Sequence, residues 1–148
     1  MIVEPKLGLD VGRVVVDILV ENADDLTQVA VGQLPANQVR HLTLQALVDT
    51  GTKGISLSTS IIAQLGLRPI RRRQARTAAG LVMTSFYSAV RVTVQNRDCL
   101  SDVAEVPDGT PALLGYIPLE VMDYWIDMEN KRLAGNPEHG GEWIDDAF

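Results

Sequence analysis

The chain has 148 residues, 46% apolar and 22% charged, with a formal net charge of -6. That length suits one compact domain with a sizeable core. The acidic balance argues against a general nucleic-acid binder, and a single cysteine, Cys99, excludes an internal disulfide.

The first six residues lack a basic region followed by an apolar stretch, so no secretory signal is expected. The longest hydrophobic segment, Val14 to Val20, is interrupted by Asp17 and falls far short of the ~20 residues a membrane span requires. The expectation is a cytoplasmic protein with no membrane partner. Aromatic residues are few, and Val and Ile recur in short runs, which predicts an aliphatic core built on strands.

Arg13 to Val20 reads as a first strand, and Glu21 to Asp25 as a polar turn. Thr27 to Gly32 reads as a second strand. Leu34 to Asn37 is another turn, and Val39 to Val48 is extended, ending in the apolar Ala46-Leu47-Val48. Ser58 to Leu65 predicts a helix, with the Ser58 hydroxyl as N-cap. Ile61, Ile62 and Leu65 share its apolar face, and Gly66 provides a left-handed C-terminal cap.

Strand character returns at Arg68. Ala78-Ala79-Gly80 is a predicted hairpin tip between Arg72–Thr77 and Leu81–Tyr87. Val90, Val92 and Val94 alternate with polar residues, as in a half-buried strand. Gln95 to Asp98 turns the chain into Cys99–Val106, which Pro107-Asp108-Gly109 stops. Ile117 to Met122 is a short helix, and Tyr124 to Met128 a last strand. No repeat or linker divides the chain. The expected organisation is one domain over 1–148, with an extension at 1–11 and a polar tail at 137–148 whose Trp143 and Phe148 favour packing.

The chemistry concentrates in Leu47-Val48-Asp49-Thr50-Gly51-Thr52. A carboxylate directly follows a buried strand. Gly51 permits a sharp turn and close approach of a ligand, Thr50 can fix the loop through its hydroxyl, and Thr52 can donate to the carboxylate. Taken alone, an Asp-Thr-Gly tripeptide is an ordinary strand-ending turn.

Ala46 to Thr52 resembles the active-site strand and loop of the retropepsin-like aspartic peptidases, in particular their small bacterial single-domain members. Thr77-Ala78-Ala79-Gly80 resembles the tip of their flap hairpin. Pro111-Ala112-Leu113-Leu114-Gly115 resembles their second signature, which passes behind the active-site loop. Tyr116–Met122 matches their short helix, and Tyr124 to Asp127 with Arg132-Leu133 their final hairpin. Thr52 stands where alanine or serine is common.

The resemblance implies an all-β fold: a retropepsin-like closed acid-protease barrel with one or two short helices. It implies an aspartic endopeptidase with Asp49, Thr50 and Gly51 as catalytic residues. Thr52, Ala78, Ala79 and Gly80 would contact substrate, and Leu113, Leu114 and Gly115 would support the loop. Such chemistry requires two carboxylates sharing a proton. This chain has one Asp-Thr-Gly, so the second carboxylate must come from another copy, and the expected partners are itself and a peptide or protein substrate. The alternative is a non-catalytic dimeric module that binds peptides or proteins with the same fold.

No cofactor is expected. His41 and His139 have no ligand-spaced companions, so no metal is expected either. Arg68, Arg71, Arg72, Arg73 and Arg76 form a basic cluster on the strand entering the hairpin. It reads as a solvated edge that resists aggregation, with acidic-substrate preference or a nucleic-acid patch as alternatives. Cys99 reads as a buried, inert thiol.

Overall fold

Val16, Ile18 and Val20 turn inward from strand β1 (Val15–Asn22), while Asp17 turns out. This is the period-two pattern of a strand with one face on a core. The computed structural model describes residues 13–145. The expected extension at 1–11 and the last three residues, Phe148 among them, lie outside the described residues.

β1 runs antiparallel to β2 (His41–Val48), with Val15 opposite Leu47 and Glu21 opposite His41. The segment between them departs from expectation. Residues predicted as a turn and a second strand form helix α1 (Ala23–Ala30). Asn22 ends β1 and caps α1, its side-chain oxygen accepting from the Asp25 amide at 3.1 Å. Its side-chain amide donates to the Leu65 carbonyl at 2.8 Å, so this buried residue is satisfied on both sides. Asp24 and Asp25 lie in the first turn, where the helix dipole favours negative charge.

β3 (Ile55–Ser58) leads into α2 (Thr59–Leu65). Ile62 and Leu65 are buried and Ile61 packs against the core, as the spacing predicts. Gly66 is left-handed, at φ 64°. Ser58 is the N-cap residue, but its hydroxyl makes no capping bond; the Ser60 amide donates instead to Asp108, at 2.9 Å.

β4 (Pro69–Thr77) and β5 (Gly80–Val94) form the long hairpin, and β6 (Arg97–Val106) follows. β7 (Ala112–Leu114) precedes α3 (Tyr116–Val121). β8 (Tyr124–Asp127) and β9 (Arg132–Gly135) make a separate two-stranded sheet.

The main sheet runs β1-β2-β7-β3-β6-β5-β4, and β1 also pairs with β5. That second pairing closes six strands into a barrel, with β4 attached outside the ring. The fold is the expected all-β class of barrel, with three short α-helices among the described residues where one or two were predicted. The barrel is filled by Val14, Ile18, Val20, Ile55, Leu57, Val90, Val92, Val94, Val103 and Leu114, an aliphatic interior as the composition implies. Fully burying each such side chain is worth roughly 1.5–3 kcal/mol.

The tail is tied back to this body. Arg97 is buried, lies 4.8 Å from the Tyr124 ring centroid, and donates to the carbonyls of Met122, Asp123 and Gly141. Trp143 donates through Nε1 to the Val121 carbonyl at 3.1 Å. No described helix is long and apolar enough to cross a membrane.

Candidate active site

The loop at Asp49 is built where β2 leaves the barrel. Ala46, Leu47 and Val48 are buried and pair in parallel with Ala112, Leu113 and Leu114 of β7. The Asp49 amide continues that ladder, donating to the Leu114 carbonyl at 2.9 Å. The chain then turns at once, with the Thr52 amide bonded to the Asp49 carbonyl at 3.0 Å.

Both carboxylate oxygens of Asp49 are engaged. Oδ1 accepts from the Gly51 amide at 2.9 Å and Oδ2 from the Thr52 hydroxyl at 3.2 Å. The donors lie on the loop side, and the carboxylate is half-exposed. A Cβ on Gly51 would stand 3.2 Å from Oδ1, tight enough to disturb that arrangement. Thr50 is exposed at the turn, and its hydroxyl has no partner among the described residues.

Behind the turn, Gly115 is enclosed by backbone. Its amide donates to the Gly54 carbonyl at 2.8 Å, followed by Tyr116 to Thr52 at 2.9 Å and Ile117 to Lys53 at 3.0 Å. Three consecutive amides at the start of α3 thus fasten three consecutive carbonyls of the loop. A Cβ on Gly115 would collide with the Thr52 and Gly54 carbonyl oxygens and reach 2.7 Å from the Lys53 carbonyl carbon. These backbone partners, Lys53 and Gly54, were not singled out by their side chains, which contribute nothing to the fastening.

The structure therefore brings Asp49, Thr50, Gly51 and Thr52 together with Leu113, Leu114 and Gly115. The hairpin tip is a separate unit. Ala78 and Ala79 make its two-residue turn, and Gly80 has φ 99°. The Thr77 hydroxyl organises it, accepting from the Ala79 amide at 3.1 Å and donating to the Gly80 carbonyl at 2.9 Å. Among the described residues no hydrogen bond joins this tip to the Asp49 loop. One row of paired residues nevertheless links them: Asp49 to Leu114, then Ile55, Val103 and Tyr87 at the base of the hairpin.

A family model described as aspartyl protease matches residues 37–116, more than half the chain. The chain belongs to the aspartyl protease family. The match begins just before β2 and ends at the first residue of α3, so it contains the Asp49 loop, the hairpin and Gly115. No curated protein matches the sequence.

At the end of the matched aspartyl protease region, and mostly beyond it, an open depression of about 350 Å³ adjoins the loop. It is lined by Thr50, Tyr116, Leu119, Glu120, Tyr124, Trp125 and Ile126. Tyr116 and Trp125 are 38% and 51% exposed, an apolar surface that hydrophobic patterning alone did not distinguish from core. Burial holds the Cys99 thiol protonated, its pKa pushed up to about 11 with help from Asp98. No cluster of three or more His, Cys, Asp or Glu side chains suited to a metal ion occurs among the described residues.

Proposed function

We propose that this chain is one half of an aspartic endopeptidase, completed when a second copy brings its own Asp49 onto a two-fold axis. The observation that carries this reading is the Asp49 carboxylate: fixed from the loop side by Gly51 and Thr52, on a turn braced from behind by Gly115, and present once per chain.

Two such carboxylates about 3 Å apart share one proton, because like charges at that range cannot both ionise. The ionised member takes a proton from water as its oxygen attacks the peptide carbonyl carbon. The protonated member gives its proton to the carbonyl oxygen, forming a gem-diol. Collapse of that intermediate breaks the C–N bond and delivers a proton to the departing amine. The pair titrates jointly, so its proton affinities belong to the dimer.

The other residues take supporting roles. Thr50, exposed and without a partner among the described residues, bonds across the axis to the partner loop. Ala78, Ala79 and Gly80 present backbone groups to an extended peptide when the hairpin closes and expels water. Thr52 fixes the carboxylate facing substrate, and Leu113, Leu114 and Gly115 hold the loop's height.

The decisive experiment incubates the protein with a broad peptide library from acidic to neutral pH, beside Asp49→Asn. Cleavage by the parent alone supports the reading, and equal cleavage by both removes Asp49 from the chemistry. Sedimentation gives a second check, since a chain that stays monomeric at high concentration cannot assemble two carboxylates.

A further inference from the structure

The hairpin carries four arginines on β4, and the strand register sorts them onto two faces. Residues directly opposite one another in an antiparallel pair share a face. Arg71 lies opposite Phe86, which lies opposite Ala104. This face is outward and its charges are engaged. Arg71 reaches Asp102 at 2.6 Å, and the guanidinium groups of Arg71 and Arg73 lie 5.1 and 5.0 Å from the Phe86 ring centroid.

The opposite face continues the barrel interior. Tyr87, opposite the fully buried Val103, packs against the core. Ser85, Met83 and Leu81 follow it at every second position of β5, and opposite them stand Arg72, Gln74 and Arg76. Leu81 and Met83 are 58% and 53% exposed. Among the described residues neither Arg72 nor Arg76 has a carboxylate within salt-bridge distance, whereas Arg68 and Arg71 do.

We propose that Arg72 and Arg76, on the inward face of the hairpin, select peptide substrates with acidic side chains. This rests on the peptidase reading above, in which that hairpin closes over the peptide. The chain as a whole has a net charge of -6, so an acidic peptide is disfavoured at long range unless a local cationic surface receives it. The inward face supplies two guanidinium groups, with Gln74 between them on β4 and the apolar Met83 and Leu81 beside Gln74 and Arg76 on β5. A two-fold dimer repeats the set, placing cations on both sides of the cleaved bond. Guanidinium groups suit this task because their planar donors match a carboxylate in bidentate geometry.

The test measures binding apart from cleavage. In the Asp49→Asn protein, anisotropy is read for a fluorescent peptide with two glutamates on each side of its centre, and for the same peptide with glutamines. The glutamate peptide is expected to bind about tenfold more tightly at low salt, the sum of several modest exposed ion pairs. That preference shrinks as salt is raised. Arg72→Gln with Arg76→Gln abolishes it, while Arg73→Gln on the outward face leaves it intact. Equal binding of the two peptides, binding of neither, or a preference that survives the double substitution overturns the proposal. Failure of the peptidase reading has a different signature, namely cleavage that does not depend on Asp49.

Discussion

The Gly115 amide bonds to the Gly54 carbonyl at 2.8 Å, and no room remains between them for a side chain. Gly115 has φ -86°, a conformation open to any residue. Its glycine identity is therefore required by the close approach of two backbones, not by backbone strain.

Gly115→Ala is accordingly expected to push the Asp49 loop outward. Overpacking of this kind costs about 1–3 kcal/mol. Thermal unfolding should record the loss, and peptide cleavage should fall by more than the unfolded fraction explains. Unchanged stability and cleavage would mean that the loop does not depend on this contact.

Thr52→Val keeps the side-chain shape and removes the hydroxyl that donates to Asp49 Oδ2. A hydrogen bond to a charged group is worth roughly 1.5–3 kcal/mol, so kcat/KM should fall at least about tenfold. Thr52→Ser, which restores a donor, should recover most of it. If Val and Thr are equally active, the hydroxyl has no part in holding the carboxylate.

Asp123 is a pH-dependent tie between the end of α3 and the tail. Its carboxyl is held below the usual carboxylate range chiefly by the hydrogen bond from His139, against the opposing effect of burial, with Asn136 and the Ile144 amide adding to it. A folded pKa below the unfolded value of about 3.9 means the contribution is complete above that pH, and is lost as pH falls toward the folded value. Asp123 has φ 58°, a region that Asn also tolerates, so Asp123→Asn removes the charge with little backbone penalty. The variant should have a lower Tm at neutral pH and a flatter acid limb below about pH 4. Parallel acid limbs for the two proteins would assign the acid sensitivity to other groups.

Cys99 is 7% exposed with its pKa near 11, so at pH 8 only about one thiol in a thousand is the reactive thiolate. Native protein should resist iodoacetamide, and urea-unfolded protein should label fully. Rapid native labelling would show that β6 opens locally.

Much of this was readable from side-chain order. The alternation of Val90, Val92 and Val94 and the run Ala46-Leu47-Val48 located buried strands, and Gly66 located a helix end. The Asp49 loop was legible because its donors lie two and three residues away. Helix α1 was not. Its buried residue is Asp25, which is satisfied by Arg40, and its apolar period is short, carried by Leu26 and Val29 alone among large side chains. The Thr and Val residues of its second half, Thr27 and Val29, read as strand formers. Its local signals were Asn22 three residues before Asp25 and the acidic pair Asp24 and Asp25 in the first turn. The N-terminal bond of α2 was hidden for a different reason, since Asp108 reaches Ser60 across 48 residues. Strand register, which divides the arginines between two faces, is likewise a property of pairing and not of order.

Asp49 and Leu114 are joined by the bond that sets the loop, although 65 positions separate them in the chain. The ribosome therefore makes the acidic residue long before it makes the strand that gives that residue its place. Closure of the ring adds a second delay, since β1 must find β5, with Leu19 opposite Thr93. Contacts of such long range are slow to form, because loop-closure entropy opposes them. A nascent chain holding Asp49 but not yet β7 has a carboxylate without a scaffold, and the geometry at this loop is complete only when nearly the whole domain has been made.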